Sequence, residues 1–348
     1  MTPVDPSSQP SKPDSSALVI ALGDPAGIGA EVTLRALAAL ARRPEGAPPV
    51  RLVGCRRWLE TCHRQLLAAG CADLADPREL EVEDLPLAEA VHPGQAGAAA
   101  GAAGFAWLTR AAQLVLEGRG GALVTAPIAK AGWQAAGHDY PGQTERLAEL
   151  CGVKEASMLF TARPPAGSWR FNTLLATTHI PLAAVPSALD AALVERQLER
   201  LLAFCRRFSE RPRLVVAGLN PHAGEAGHLG REEVEWLEPC LKAWSQRRPE
   251  ARLEGPLPPD SCWLEAASAW RGEGQAADGY LALYHDQGLI PVKLLAFDAA
   301  VNTTLGLPFL RTSPDHGTAF AIAGQGVARS ASMEAAISAA AELGLRRP

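Results

Sequence analysis

Strand-like and helix-like segments alternate along almost the whole chain, and that alternation restricts it to an α/β architecture. Residues 18–22 are apolar and strand-like, a glycine-rich break follows, and residues 30–42 carry helical periodicity. The pattern continues with a strand at 50–53, a helix at 57–69, and an Ala-rich helix over 97–116 that leads into a strand at 122–125. Next come a helix at 144–151, strands at 157–161, 171–176, 214–217 and 280–284, an amphipathic helix at 189–208, and helices at 232–245 and 332–343. Helices between strands imply a mainly parallel sheet covered on its faces. No linker or internal repeat divides the chain, so two lobes sharing one sheet fit better than two separate domains.

Composition serves mainly to exclude. A net charge of −5 with no Lys/Arg run argues against a nucleic-acid surface. No apolar stretch reaches the length of a membrane span. Residues 1–16 are rich in Ser, Pro and Asp, with neither a basic start nor an apolar core. They read as a disordered tail and not a signal peptide, which predicts a cytoplasmic protein. The seven cysteines include no Cys-x-x-Cys pair and read as reduced, small apolar residues.

Three histidines follow or end strand-like runs, in what read as short non-helical settings: Thr-Thr-His179-Ile-Pro, Asn-Pro-His222-Ala-Gly-Glu and Tyr-His285-Asp-Gln-Gly. At the carboxyl ends of strands, imidazoles point into the crevice where α/β proteins bind ligands. Taken singly, each is more simply a loop or core histidine. Jointly, they fit one divalent metal with positions left open for substrate.

Four further motifs bear on chemistry. In Gly23-Asp24-Pro25-Ala26-Gly27-Ile28-Gly29, the Gly-x-x-x-Gly-x-Gly spacing and the missing N–H of Pro25 favour a plain glycine turn over a dinucleotide phosphate loop. Gly142, Gln143 and Thr144 open a helix, where free N–H groups hold an anion or Thr144 simply caps. Lys293, Asn302 and Arg311 stand in an otherwise apolar segment. A cation buried there costs free energy unless a salt bridge or a substrate phosphate or carboxylate pairs it. The turns His316-Gly317-Thr318 and Ala323-Gly324-Gln325-Gly326 are consistent with backbone close to a planar or polyphosphate ligand, a signal of little weight alone.

Together these segments resemble the 4-hydroxythreonine-4-phosphate dehydrogenase (PdxA) family of vitamin B6 synthesis, from about residue 18 to the end. The resemblance also runs through Thr-Ala-Pro-Ile-Ala-Lys, Gly-Pro-Leu-Pro-Pro-Asp, Tyr-His-Asp-Gln-Gly-Leu-Ile-Pro-Val-Lys and the block from Val301 to Phe320. It implies a fold like that of isocitrate and isopropylmalate dehydrogenases: two α/β/α lobes sharing a largely parallel sheet, not a Rossmann domain. Lobe one would take residues 17–136 and 304–348, lobe two 137–303. It implies a homodimer with active sites at the interface, metal ligands drawn from both chains, and a small phosphorylated hydroxy amino acid as substrate. His179, His222 and His285 fall on the family's metal positions, and Thr144, Lys293, Asn302 and Arg311 on its substrate positions. Asp260 and Asp286 match acidic residues near the site, cast as catalytic. His316, Gly317 and Thr318, with Gly324 beyond them, fall on the NAD or NADP segment. The metal is one of Zn, Co, Mg or Mn, with imidazoles leaning toward Zn or Co.

Two departures stand out. Gln143 replaces the usual His of Gly-His-Thr-Glu, so it can donate a hydrogen bond to phosphate but carries no charge. Ala321 and Gln325 replace the usual Asp and Lys of the cofactor loop. A paralogue of the same fold acting on threonate or erythronate 4-phosphate or a dihydrodiol acid is the alternative.

Overall fold

The computed structural model describes residues 16–345. The tail expected at 1–16 therefore lies, apart from Ser16, outside the described residues. The strands in chain order are β1 Leu18–Ala21, β2 Val50–Gly54, β3 Glu81–Asp84, β4 Ala122–Thr125, β5 Ser157–Ala162, β6 Phe171–Leu175, β7 Arg213–Ala217, β8 Arg252–Leu257, β9 Gly279–Ala282, β10 Val301–Leu305 and β11 Leu310–Pro314. The helices are α1 Gly29–Ala41, α2 Arg56–Ala68, α3 Ala98–Leu116, α4 Lys130–Ala135, α5 Gln143–Leu150, α6 Val185–Ala188, α7 Ala191–Cys205, α8 Glu238–Arg247, α9 Leu264–Trp270, α10 His285–Ala296 and α11 Ala331–Gly344.

All these strands form one sheet, ordered β3-β2-β1-β4-β11-β10-β5-β6-β9-β7-β8. Pairing is parallel on both flanks and antiparallel at the three central steps, β11-β10, β10-β5 and β5-β6. The two flanks consequently run in opposite directions. Strand β10 spans the 303/304 junction that the sequence reading places between lobes.

Local chemistry explains the elements. Every residue of β1, Leu-Val-Ile-Ala, is buried, as a central strand with helices on both faces requires. The edge strand β3, Glu-Val-Glu-Asp, carries charges that discourage further pairing. Asp190 starts α7 by accepting the Leu193 N–H at 2.7 Å. Helix α3 lies so close to α4 that a Cβ on Gly101 would stand 1.9 Å from the Gly132 carbonyl oxygen.

One expectation needs correcting. His285 does not sit in a non-helical setting; it is the first residue of α10, behind Tyr284 as N-cap. Gly288 and Pro291 inside the helix obscure its periodicity. Gly288 is required by packing, because a Cβ there would lie 2.5 Å from Leu175 Cδ2.

Candidate active site

Over the junction where the sheet reverses direction lies a cleft of about 310 Å3. Thr125 reaches it from the end of β4, Arg311 from β11, Asn302 and Thr304 from β10, and Gln143 and Thr144 from the first turn of α5. His179 and the pair His316-Gly317 complete opposite parts of its wall. Crevices at such topological switch points are where open α/β sheets bind ligands.

Arg311 is the dominant charge in this cleft. It is only 4% exposed. Its Nε and Nη2 donate to Thr125 Oγ1 at 3.0 and 2.7 Å, its Nη1 to Thr304 Oγ1 at 3.2 Å, and Nη2 also to Gln143 Oε1 at 3.3 Å. All four bonds end on neutral oxygens. Burial therefore pulls the guanidinium down to about 10, opposed only by the field of Glu145. A buried cation without a directly bonded carboxylate is chemically incomplete, and an incoming phosphate or carboxylate would complete it. Gln143 is fixed at both ends, since its Nε2 donates to the Ala126 carbonyl at 3.1 Å.

The three histidines follow β6, β7 and β9, three strands that run parallel with β9 in the middle, so all three stand at one edge of the sheet. The His179 and His285 rings lie 5.5 Å apart between centroids. Asp286 Oδ1 lies 2.7 Å from His285 Nδ1, and Glu225 Oε1 lies 2.8 Å from His222 Nδ1. When a carboxylate holds Nδ1–H in this way, Nε2 is left as the metal-facing lone pair. The donor set thus fits a divalent cation. Among the described residues, however, no group of three or more His, Cys, Asp or Glu is spaced to hold a metal ion within this chain. The chain pairs His179 with His285 and leaves His222 exposed in the neighbouring loop.

His222 owes its position to an unusual backbone. Residues 222–226 all have positive φ: 53°, 52°, 81°, 44° and 54°. A left-handed turn costs about 1–2 kcal/mol for each non-glycine residue, and such strain gathers at functional sites. The bond from Glu225, then its charge, raises the His222 pKa, and Asp260 adds to the effect.

The other predicted residues divide. Lys293 is ion-paired with Asp315, and its Nζ stands 5.5 Å from the Phe297 ring centroid. Thr318 is buried, and its carbonyl accepts the Ile28 N–H at 3.0 Å, so the Gly23–Gly29 turn backs the His316 loop. His316 Nε2 is buried with no partner, while nothing lies within 4 Å of where a Gly317 Cβ would stand. An unmet ring nitrogen beside open backbone in the cleft suits a cofactor amide or hydroxyl. Gly324 turns at φ 77°, and Gln325 closes its own loop by donating to the Ala321 carbonyl at 2.8 Å.

Sequence reasoning held Thr125, Asp315 and Glu225 only within longer motifs, without a role of their own, and passed over Glu233 and Glu31. Glu31, 3% exposed in α1, accepts the Ala328 N–H at 2.7 Å and so ties the Gly324–Ala328 loop to the core. Its second oxygen has no hydrogen-bond partner, and burial raises its pKa.

A cleft at the reversal of a large α/β sheet, holding one deeply buried cation, marks an enzyme of small anionic substrates. Comparison with known proteins narrows that class. The family model "Pyridoxal phosphate biosynthetic protein PdxA" matches residues 48–340. A 4-hydroxythreonine-4-phosphate dehydrogenase of Synechococcus sp. (strain RCC307) is 66% identical, covering 94% of this chain and 99% of its own. The crystal structure of 4-hydroxythreonine-4-phosphate dehydrogenase from Klebsiella pneumoniae superposes with a TM-score of 0.80 at 37% identity, over 97% of this chain and 100% of its own. A terephthalate 1,2-cis-dihydrodiol dehydrogenase from Burkholderia xenovorans LB400 superposes at 0.63 with 29% identity, over 95% and 98%. The chain belongs to the PdxA family.

Proposed function

We propose that this protein oxidises the C3 hydroxyl of 4-(phosphooxy)-L-threonine with NAD+ or NADP+, in the route to pyridoxine 5'-phosphate. The product, 2-amino-3-oxo-4-(phosphooxy)butanoate, is a β-keto acid that loses CO2 to give 3-amino-2-oxopropyl phosphate. The observation that carries this reading is Arg311, a buried cation bonded only to neutral oxygens and open to a cleft of small-molecule size. The 66% identity to a dehydrogenase named for this substrate supports it.

Arg311 holds the phosphate, with the N-terminal turn of α5 adding Thr144 Oγ1 and free N–H groups. Asn302, on the same face of the neighbouring strand β10, orients the polar backbone of the substrate, and Lys293, released from or shared with Asp315, meets a second anionic end. His179, His222 and His285 would hold the divalent metal, and His316 with Gly317 and Thr318 the cofactor. The chemistry those groups supply when bound is hydride acceptance by the nicotinamide and Lewis-acid polarisation of the reacting oxygen by the metal. Asp286 keeps the Nδ1 proton of His285 in place. Asp260, whose charge acts on His222, is assigned the relay of the hydroxyl proton.

The subunit interface is read from α10. Ile290 and Leu294 on the helix that begins with His285, and Phe297 at its C-cap, spaced i, i+4 and i+7, are 58%, 80% and 62% exposed. We assign this stripe to a homodimer that completes the site, with the chain divided into lobes 17–136 plus 304–348 and 137–303. No helix among the described residues is long and apolar enough to cross a membrane.

Gln143 and the likeness to a dihydrodiol dehydrogenase keep a paralogous activity in view. Turnover of 4-(phosphooxy)-L-threonine, threonate 4-phosphate, erythronate 4-phosphate and a cis-dihydrodiol acid, each with NAD+ and NADP+, decides between them. The highest kcat/KM on the first substrate is expected. Preference for any other overturns the assignment.

A further inference from the structure

The left-handed turn that carries His222 must be held by something, because its backbone conformation is unfavourable by itself. Behind it lies Glu233, whose side chain is 0% exposed. Its Oε1 accepts the N–H groups of Leu219 and Asn220, both at 2.8 Å, and its Oε2 accepts Asn220 Nδ2, again at 2.8 Å. Every partner is a donor, so an acceptor-only carboxylate is the group this position calls for. A glutamine would place an NH2 against one of those donors. The fit on the other side is equally tight: a Cβ on Gly224 would stand 2.8 Å from Glu233 Oε2. Asn220 is held a second time by Glu232 Oε2, at 2.8 Å.

We propose that Glu233 is a positioning residue for the metal site: its buried carboxylate clamps the start of the left-handed turn and thereby fixes where His222 presents Nε2. It acts through the backbone and touches neither metal nor substrate. Glu225, on the turn itself, completes the arrangement by holding His222 Nδ1. The inference rests on His222 being a metal ligand.

The test measures zinc affinity by competition with a chromogenic chelator, using metal-stripped wild type, Glu233→Gln, Asn220→Ala and His222→Ala. Glu233→Gln is expected to weaken zinc binding about 10- to 100-fold, the usual effect of losing an outer partner of a metal ligand. Its KM for NAD+ should stay within about twofold of wild type, and the visible bands of its cobalt form should change intensity as His222 shifts. Asn220→Ala keeps both backbone donors and should lose about two- to tenfold. Wild-type zinc affinity in Glu233→Gln overturns the inference; should that variant fail to fold, unaltered affinity and cobalt spectrum in Asn220→Ala overturn it instead. Loss of zinc in His222→Ala but not in Glu233→Gln removes the clamp alone. Wild-type zinc binding in His222→Ala removes the metal assignment and the clamp with it.

Discussion

A single side chain, Arg311, carries most of the chemical information in the cleft, and its energetics make it testable. Burial holds its pKa down at about 10, below the ordinary guanidinium range. A cation whose folded pKa is depressed destabilises the fold while charged, so the cost is present at every pH below about 10 and fades only as pH rises above it. At neutral pH a bound phosphate should offset that cost. Inorganic phosphate is therefore expected to raise the wild-type Tm, and Arg311→Met to abolish the rise without lowering the ligand-free Tm by more than a few degrees. The same variant should raise KM for the phosphorylated substrate by roughly 30-fold, corresponding to the loss of about 2 kcal/mol from charged hydrogen bonds, with KM for NAD+ little changed. A phosphate-dependent gain in Tm that survives Arg311→Met removes the clamp. Glu31 gives the mirror case. Its folded pKa is raised above 4.5 by burial, so its charge costs stability at neutral pH and the cost is relieved as pH falls toward 4.5. Glu31→Gln keeps an oxygen for the Ala328 N–H and removes the titration. Its Tm relative to wild type should be more favourable at pH 7 than at pH 4.5; a pH-independent difference would show that Glu31 does not titrate in this range.

At the scale of elements, close packing decides more than propensity does. Helix α4 begins with Lys130 in the cleft wall and is seated by the approach of Gly132 to Gly101 on α3. Gly101→Ala should push the two helices apart, at a cost of about 2 kcal/mol from overpacking, seen as a lower urea midpoint with an unchanged slope. A neutral result would mean that α3 and α4 can shift without loss. Much of the framework was legible because apolar runs such as Leu18–Ala21 and the 3.6-residue period of α7 are strong signals. Other elements were hidden for identifiable reasons. Strand β3 is almost wholly acidic, β8 contains Gly255 and Pro256, and β10 reads Val-Asn-Thr-Thr-Leu, polar because its neighbours supply the burial. Helix α10 was masked by Gly288 and Pro291. At the site, Arg311 and the histidines stood out as residue types, whereas Thr125 and Glu233 did not. Their roles come from what folding brings beside them: Thr125 lies 186 residues from the arginine whose donors it accepts.

For the whole molecule, the question is why three of its exposed large apolar side chains stand together along α10 and its C-cap. The helix runs from His285, whose ring lies 5.5 Å from that of His179 in the cleft wall, to an outer face where Ile290, Leu294 and Phe297 meet water. A two-fold dimer through this face would bury the stripe twice over and bring the histidine edges of two chains toward one another. Burying these six side chains would offset part of the cost of association, with the rest of the interface supplying the surplus. Charging the stripe tests the assignment. Leu294→Glu with Phe297→Glu should convert the protein to a species of 36.6 kDa by light scattering. Its far-ultraviolet circular dichroism should match wild type, because neither side chain serves the core. Turnover should fall at least about 100-fold and zinc should bind more weakly, because the proposed dimer would bring together ligands that the described residues of one chain do not group. A monomer that keeps full turnover would show that the site is complete within one chain; an unchanged dimer would place the interface elsewhere.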